Sequence, residues 1–273
     1  MDKTSILGVI LGFVAIGMGI VMKGVTITTL LNPAAILIIV VGTAATVIIA
    51  FPTRVIRNVP ALFKIIFTEK EPYNLEELIT QFAAWSEQTR REGLLSLENQ
   101  MEEIDDPFLQ SGVQMAVDGQ NPDFIRDVLM EKIYAMEDRH EEGALVFSQA
   151  GTYAPTLGVL GAVVGLVAAL GDMEDMDVLG AAISAAFIAT LLGIFTGYVL
   201  WHPFANKLKE KSKREVMIKE MMVEGILSIT AGESPAVIKD KLSSYLSVKE
   251  IERMEKNIQA KAGQEEGNET TGS

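Results

Sequence analysis

Four long stretches of the chain, residues 4–22, 24–53, 143–171 and 178–206, contain no Asp, Glu, Lys or Arg. Each is long enough for a helix to cross the hydrocarbon of a bilayer, which takes about 20 apolar residues. Lipid offers no partners for backbone N–H and C=O groups, so such segments are expected to be helices. The pattern predicts an all-α, polytopic membrane protein with four transmembrane helices and most of its polar mass outside the lipid. A chain that moves ions unaided keeps an ionisable group at membrane depth, because that group binds and releases the ion. None occurs here. The chain therefore either does not conduct or supplies only part of a conducting assembly.

Composition narrows the function further. The formal charge of -13 argues against nucleic acid as a partner, whose phosphates call for a basic surface. With no Cys, disulfides and thiolate metal sites are excluded. His140 and His202 are the only histidines and lie far apart in sequence, so a His-rich metal site is not expected. No Ser/His/Asp arrangement is evident, and the numerous carboxylates, such as Glu102, Glu103, Asp105 and Asp106, single out no acid/base pair. The chain does not read as an enzyme, and no cofactor is expected. Near the beginning, Lys3 is offset by Asp2 and no small-x-small site closes the apolar run, which reads as a retained helix rather than a cleaved signal.

Orientation follows the distribution of Lys and Arg. Arg54, Arg57 and Lys64 follow the second stretch, and Lys207, Lys209, Lys211, Lys213 and Arg214 follow the fourth. The connection between the third and fourth is acidic without a cation, and that between the first and second carries only Lys23. Both short loops are therefore expected outside the cell, with both termini cytoplasmic. On this reading residues 1–53 hold transmembrane helices 1 and 2, and residues 54–142 form a cytoplasmic helical domain. Residues 143–206 hold helices 3 and 4, 207–261 a cytoplasmic helical extension, and 262–273 a disordered tail rich in Gly, Glu, Asn and Thr.

Within the polar block, residues 60–67 have the composition of a helix lying along a membrane surface. Asn74 and Glu77 suit an N-cap and capping-box partner for the next helix. Leu75, Leu78, Ile79, Phe82 and Trp85 give that helix one apolar face. Asp106-Pro107 and Asn121-Pro122 mark further helix starts. The fourth span is expected to continue as a charged helix to about Ser228, broken by the Gly232–Pro235 region.

The membrane segments carry small residues, hydroxyls and prolines. Gly158, Gly161 and Gly165 give the third helix a smooth side, and Ala182, Ala185, Ala186, Ala189, Gly193 and Gly197 give the fourth a similar one; such sides permit close approach. Two readings stand: packing of span three on span four within the chain, or lining a site for a partner helix. The glycines lack the strand–turn–helix context of a nucleotide loop. Each membrane Thr, including Thr152, Thr190 and Thr196, is expected to bond its own i−4 carbonyl. Pro155 and Pro203 free backbone carbonyls and loosen the helices near their cytoplasmic ends. Tyr198 and Trp201 read as interfacial anchors. In the polar block, the Arg90-Arg91-Glu92-Gly93 run, ending at Glu98, reads either as a solvated helix surface with a Gly break or as a charged docking face.

Six segments stand out: Asn32-Pro33-Ala34-Ala35-Ile36, Arg90-Arg91-Glu92-Gly93-Leu94-Leu95, Ala116-Val117-Asp118-Gly119-Gln120, Ala135-Met136-Glu137-Asp138-Arg139-His140, Gln149-Ala150-Gly151-Thr152-Tyr153-Ala154-Pro155-Thr156-Leu157-Gly158 and Trp201-His202-Pro203-Phe204-Ala205-Asn206. By them the chain resembles the MotA family of flagellar stator subunits, in its Bacillus-type form. The resemblance implies a homo-oligomeric ring in the inner membrane, five copies around two of a MotB-type partner. The partner's single span supplies the ion-binding aspartate, and ion flow turns the ring against the rotor protein FliG. By the same resemblance the rotor-interacting charges match Arg90 and Glu98. The prolines of conformational coupling match Pro155 and Pro203, and the hydroxyl facing the partner's aspartate matches Thr190. Where sodium-type relatives carry a Thr in the third span, this chain has Ala162. Sodium must exchange water for several oxygen ligands while a proton needs one acceptor, so the transported ion is expected to be H+. The alternatives are a sodium-driven stator or an ExbB- or TolQ-like energiser, which usually has three spans. A non-conducting membrane scaffold is a further alternative.

Overall fold

The computed structural model describes residues 2–24, 30, 32–69, 73–172 and 176–254, and among them the regular structure is all helical. The tail 262–273 lies outside the described residues, as do the acidic-loop positions 173–175. Four helices are long and apolar enough to cross a membrane, so the chain is a multi-pass membrane protein.

Helix α1 (Lys3–Met22) starts where Asp2 accepts a hydrogen bond from the Ser5 N–H. Its 20 residues rise about 30 Å, one hydrocarbon thickness. Helix α2 (Pro33–Ala50) begins well inside the charge-free stretch that opens at Gly24. Asn32 caps it by accepting from the Ala34 and Ala35 N–H groups, and Pro33 takes the first helical position, where its missing N–H costs nothing. Absence of charge thus overestimates this span, and Asn-Pro marks its true start. Its other end is set by Pro52, which holds Phe51 extended at φ −123° and ψ 145°.

Helix α3 (Val59–Phe67) occupies the segment expected to lie on the membrane surface, but protein covers its apolar face. Ile66 is fully buried, Leu62 packs over Gly143, and the Phe63 ring stands edge-on to Phe147 at 5.0 Å. Trp201 and Phe204 complete this aromatic cluster, so Trp201 acts as packing rather than as a free interfacial anchor. Tyr198, 64% exposed, remains at the surface.

Helix α4 (Leu75–Glu92) is capped by Asn74 as expected, and its five apolar-face residues are all buried. A 3₁₀ segment, Leu94–Glu103, leads to α5 (Pro107–Val117), capped by Asp106. Helix α6 (Pro122–Ala169) runs 48 residues without a break at the 142/143 boundary drawn from charge. Helix α7 (Met176–Thr230) continues from the fourth span through its charged extension. It ends at Ala231-Gly232, with Gly232 at φ +69°, and α8 (Pro235–Ser243) follows behind the Ser234 cap.

Spatial contacts regroup the five sequence segments into two compact units. The described residues within 1–70 and 138–212 form the first, and those within 71–137 and 213–273 the second. The segment 54–70 joins the membrane helices because its apolar residues, Val55, Leu62, Phe63 and Ile66, pack against them. The second unit has its own core, with Phe82 and Trp85 of α4, Ile125, Leu129 and Ile133 of α6, Met221 and Ile226 of α7, and Ile238 of α8. Lys219 and Asp106 meet in it at 3.3 Å, their side chains only 10% and 11% exposed. Asp106→Ala leaves Lys219 without its carboxylate and removes the α5 cap. It is expected to lower stability by about 3–5 kcal/mol, read as an earlier thermal unfolding of the detergent-solubilised protein.

A second polar clamp fixes α8: Lys241 Nζ contacts Glu224, Ser228 and Glu233 at 2.8–3.3 Å. The Lys241 hydrogen bond holds the Glu233 carboxyl below its ordinary value, and Glu233 in turn raises Lys241. Stability from Glu233 is therefore complete above the ordinary carboxylate value and is lost as pH falls through its depressed folded value. Stability from Lys241 is complete below the ordinary lysine value and is lost only as pH rises through its raised one. Amide protection in Pro235–Ser243, taken relative to intrinsic exchange at each pH, is expected to be high at neutral pH and to fall once pH drops below the ordinary carboxylate range. Glu233→Gln should lower it already at pH 7.

Candidate functional site

In the first unit, α6 and α7 meet along a seam of small residues. A Cβ built on Gly193 would lie 2.7 Å from the Ala154 carbonyl oxygen and 2.9 Å from Gly158 Cα. One built on Gly158 would meet the Ala189 carbonyl oxygen at 2.8 Å. Backbones in such contact are held by dispersion across the interface, since lipid tails provide no hydrophobic drive. Gly161 touches Ile38 of α2 and Ala189, whereas Gly165 has nothing within 4 Å. Intrachain packing therefore uses the seam from Gly151 to Gly161, and the smooth face at Gly165 is left open in the single chain.

Pro203 lies just beyond a loosened turn of α7, and Pro155 packs opposite that turn. Pro155 sits inside continuous α6 and cannot donate to the Gly151 carbonyl one turn earlier. Gly197 packs there, its position 2.7 Å from that carbonyl oxygen and 2.8 Å from the Pro155 ring when a Cβ is added. Gly197 belongs to a π-helical turn, Thr196–Trp201, immediately before His202 and Pro203. Such turns are rare in helices and frequent at functional sites. The His202 ring covers Gly151, so the two prolines flank one α6–α7 crossing with a π turn between them. Helix α1 borders the same turn through Phe13, whose ring lies 4.9 Å from Phe195. Proline placement was readable in the sequence. The π turn was not, because one extra residue in a turn leaves no compositional mark.

The hydroxyls of the fourth span bond backward along their own helix. Thr190 Oγ1 donates to Ala186 O at 3.1 Å, and Thr196 Oγ1 to Leu192 O at 2.9 Å. Each hydroxyl thereby spends its proton and keeps oxygen lone pairs for an incoming donor. Ala162 is 9% exposed, so its methyl is buried within the chain rather than lining an open wall. Sequence reading passed over Thr43 on α2, which is 4% exposed with its hydroxyl unpartnered among the described residues. It also passed over Asp2 except as an offset to Lys3.

In the second unit, Gly93 at φ +86° ends α4, a conformation that favours glycine. Arg90 and Arg91 occupy the last helical turn, where cations suit the helix dipole. The following 3₁₀ segment is stitched back onto α4. Gln88 Nε2 donates to Ser96 O at 3.1 Å, Gln100 Nε2 to Gln88 Oε1 at 3.2 Å, and Trp85 Nε1 to Gln100 Oε1 at 3.3 Å. Leu97, 1% exposed, anchors it in the core. Arg90 and Glu98 are thus exposed side chains on a rigid corner, with Leu95, 69% exposed, between them.

The arrangement defines a class: a helical membrane subunit with a small-residue, hydroxyl-marked wall, two proline weak points, and its exposed charges on a braced soluble unit. Residues 100–221 match the MotA/TolQ/ExbB proton channel family. The chain is 57% identical to Motility protein A of Bacillus subtilis over 269 residues, 98% of this chain and all of that protein. Its structure matches that of the flagellar MotAB stator complex from Bacillus subtilis with a TM-score of 0.87 and 59% identity, covering 92% of this chain and 99% of that one. The C. jejuni MotAB structure matches with a TM-score of 0.86 and 30% identity, over 91% and 97%. The chain belongs to the Motility protein A family and is a flagellar stator subunit, not an enzyme.

Proposed function

We propose that this chain assembles in the inner membrane, termini in the cytoplasm, as five copies around two copies of a MotB-type partner. The observation that carries the reading is a wall that holds hydroxyls but no Asp, Glu, Lys or Arg, with nothing among the described residues within 4 Å of a Cβ built on Gly165. The partner's span supplies the aspartate. Its protonation and release, facing Thr190, drive the wall to shift about the loosened crossing at Pro155, the π turn and Pro203. The free lone pairs of the Thr190 hydroxyl can accept from a protonated carboxyl, which suits H+ as the transported ion. The second unit transmits the motion, pressing Arg90 and Glu98 against FliG of the rotor.

Two measurements test the reading. Co-expressed with its partner in a stator-deficient host, the chain should restore swimming whose speed follows proton-motive force and does not change with sodium concentration. A sodium-dependent speed at fixed proton-motive force would contradict proton coupling. Gly165→Leu should leave the chain in the membrane while lowering co-purification of the partner. An unchanged yield of partner would mean that this face serves another contact.

A further inference from the structure

A buried charge cluster closes one end of the first unit. Asp2 is 4% exposed, yet its Oδ2 lies 2.7 Å from Lys207 Nζ and 3.9 Å from Lys211 Nζ. Its Oδ1 accepts from the Thr4 hydroxyl at 2.7 Å and the Ser5 N–H at 3.1 Å. The Asp2 N–H donates to Phe67 O at 2.8 Å. Lys207 also donates to Thr4 Oγ1, and Lys211 donates to the carbonyls of Ile65 and Thr68 at the C-terminal end of α3. Cations are favoured at that end of a helix. The start of α1, the end of α3 and two successive turns of α7 are therefore tied at one carboxylate.

Burial alone would raise the Asp2 carboxyl, but the hydrogen bonds from Lys207, Thr4 and Ser5 outweigh it and hold the group well below the usual carboxylate range. The Asp2 carboxylate is accordingly charged at neutral pH. It differs from an exposed ion pair such as Arg54–Glu142, whose arginine is 68% exposed and adds little. A carboxylate this buried is stabilised only while its partners stay in place.

Its location gives it a role. Lys207 and Lys211 stand one and two turns beyond Pro203 on the same side of α7. A bend at Pro203 and the preceding π turn moves whichever side of the helix is less firmly held. We infer that Asp2 is a positioning residue for the conformational step: by holding Lys207 and Lys211 it fixes α7 beyond Pro203, so that bending there displaces the seam with α6. This inference rests on the stator reading and adds the fixed point against which the wall moves.

The test uses the full chain co-purified with its MotB-type partner and reconstituted in vesicles. Asp2→Asn keeps the helix cap, since Asn caps as well as Asp, and removes only the charge. Membrane abundance and partner co-purification should match the unmodified chain, while partner-dependent proton flux falls by at least about fivefold, the lower end of coupling between sites. Lys207→Gln should act alike, and the double variant should be no worse than either single one. Asp2→Glu, which restores a carboxylate, should recover part of the flux. Wild-type flux in D2N, or additive losses in the double variant, would overturn the inference. So would loss of D2N from the membrane, which would make Asp2 a folding residue. Absence of partner-dependent flux in the unmodified chain would instead overturn the stator reading, so the two failures are distinct.

Discussion

Gly193→Val is expected to remove the chain from the membrane fraction and abolish motility completely. The added Cβ would lie 2.7 Å from one backbone oxygen and 2.9 Å from the Cα of Gly158. Neither atom can rotate away as the end of a side chain could, so α6 and α7 must separate. Overpacking in a close interior typically costs about 1–3 kcal/mol when side chains can yield. Here they cannot, and a marginally stable fold has only about 5–15 kcal/mol in hand. Separation would also withdraw Gly197 from the Gly151 carbonyl and Pro155, dismantling the crossing that the proposed motion uses. Membrane fractionation with immunodetection reads the outcome. Gly17→Ala, at a position with nothing within 4 Å, provides the matching control and should accumulate normally. Normal accumulation of Gly193→Val would mean that the seam is not the packing core of these two helices.

Charge reversal at the braced corner should have an equally large effect on torque with none on assembly. Arg90 and Glu98 are exposed, and the segment carrying Glu98 is held by Leu97 and the Gln88–Gln100–Trp85 hydrogen bonds. Because neither charge supports that bracing, Arg90→Glu and Glu98→Lys should leave thermal stability and partner co-purification unchanged. Placing like charges together at an interface costs several kcal/mol, and each 1.4 kcal/mol is a tenfold change in engagement. Torque in tethered cells should therefore fall by about tenfold or more for the pair of reversals. Swimming at wild-type speed with both residues reversed would remove them from the rotor contact.

How far the sequence reached depended on the kind of signal each element left. The four spans, the Asn74 cap, the Asp106-Pro107 start and the end of α7 before Pro235 were legible, because caps, prolines and apolar periodicity are local chemistry. The start of α2 within its charge-free stretch was not resolved, since an uncharged loop and an uncharged helix look alike until Asn32-Pro33 is read as a cap. The docking of α3 was also missed. An amphipathic face does not reveal whether lipid or a neighbouring aromatic cluster covers it, and Phe147 is distant in sequence from Phe63. Residues 54–70 therefore group with the membrane helices rather than with the polar block they precede.

At the site, Pro155 and Pro203 were visible because proline has a fixed consequence for backbone bonding. Their approach to one crossing depends on Gly151, Gly197 and a π turn, which only coordinates bring together. Asp2 illustrates the same limit more sharply. Beside Lys3 it reads as a neutralised surface charge, whereas its partners lie about two hundred residues away on α7.

In the proposed assembly this chain forms the moving wall of a proton path whose titrating group lies on its partner. Proton flux into vesicles containing the co-purified complex reads that arrangement. Flux should require both chains, persist without sodium, and vanish when the partner's membrane aspartate is replaced by asparagine. Undiminished flux from that asparagine variant, or flux from this chain alone, would contradict the account.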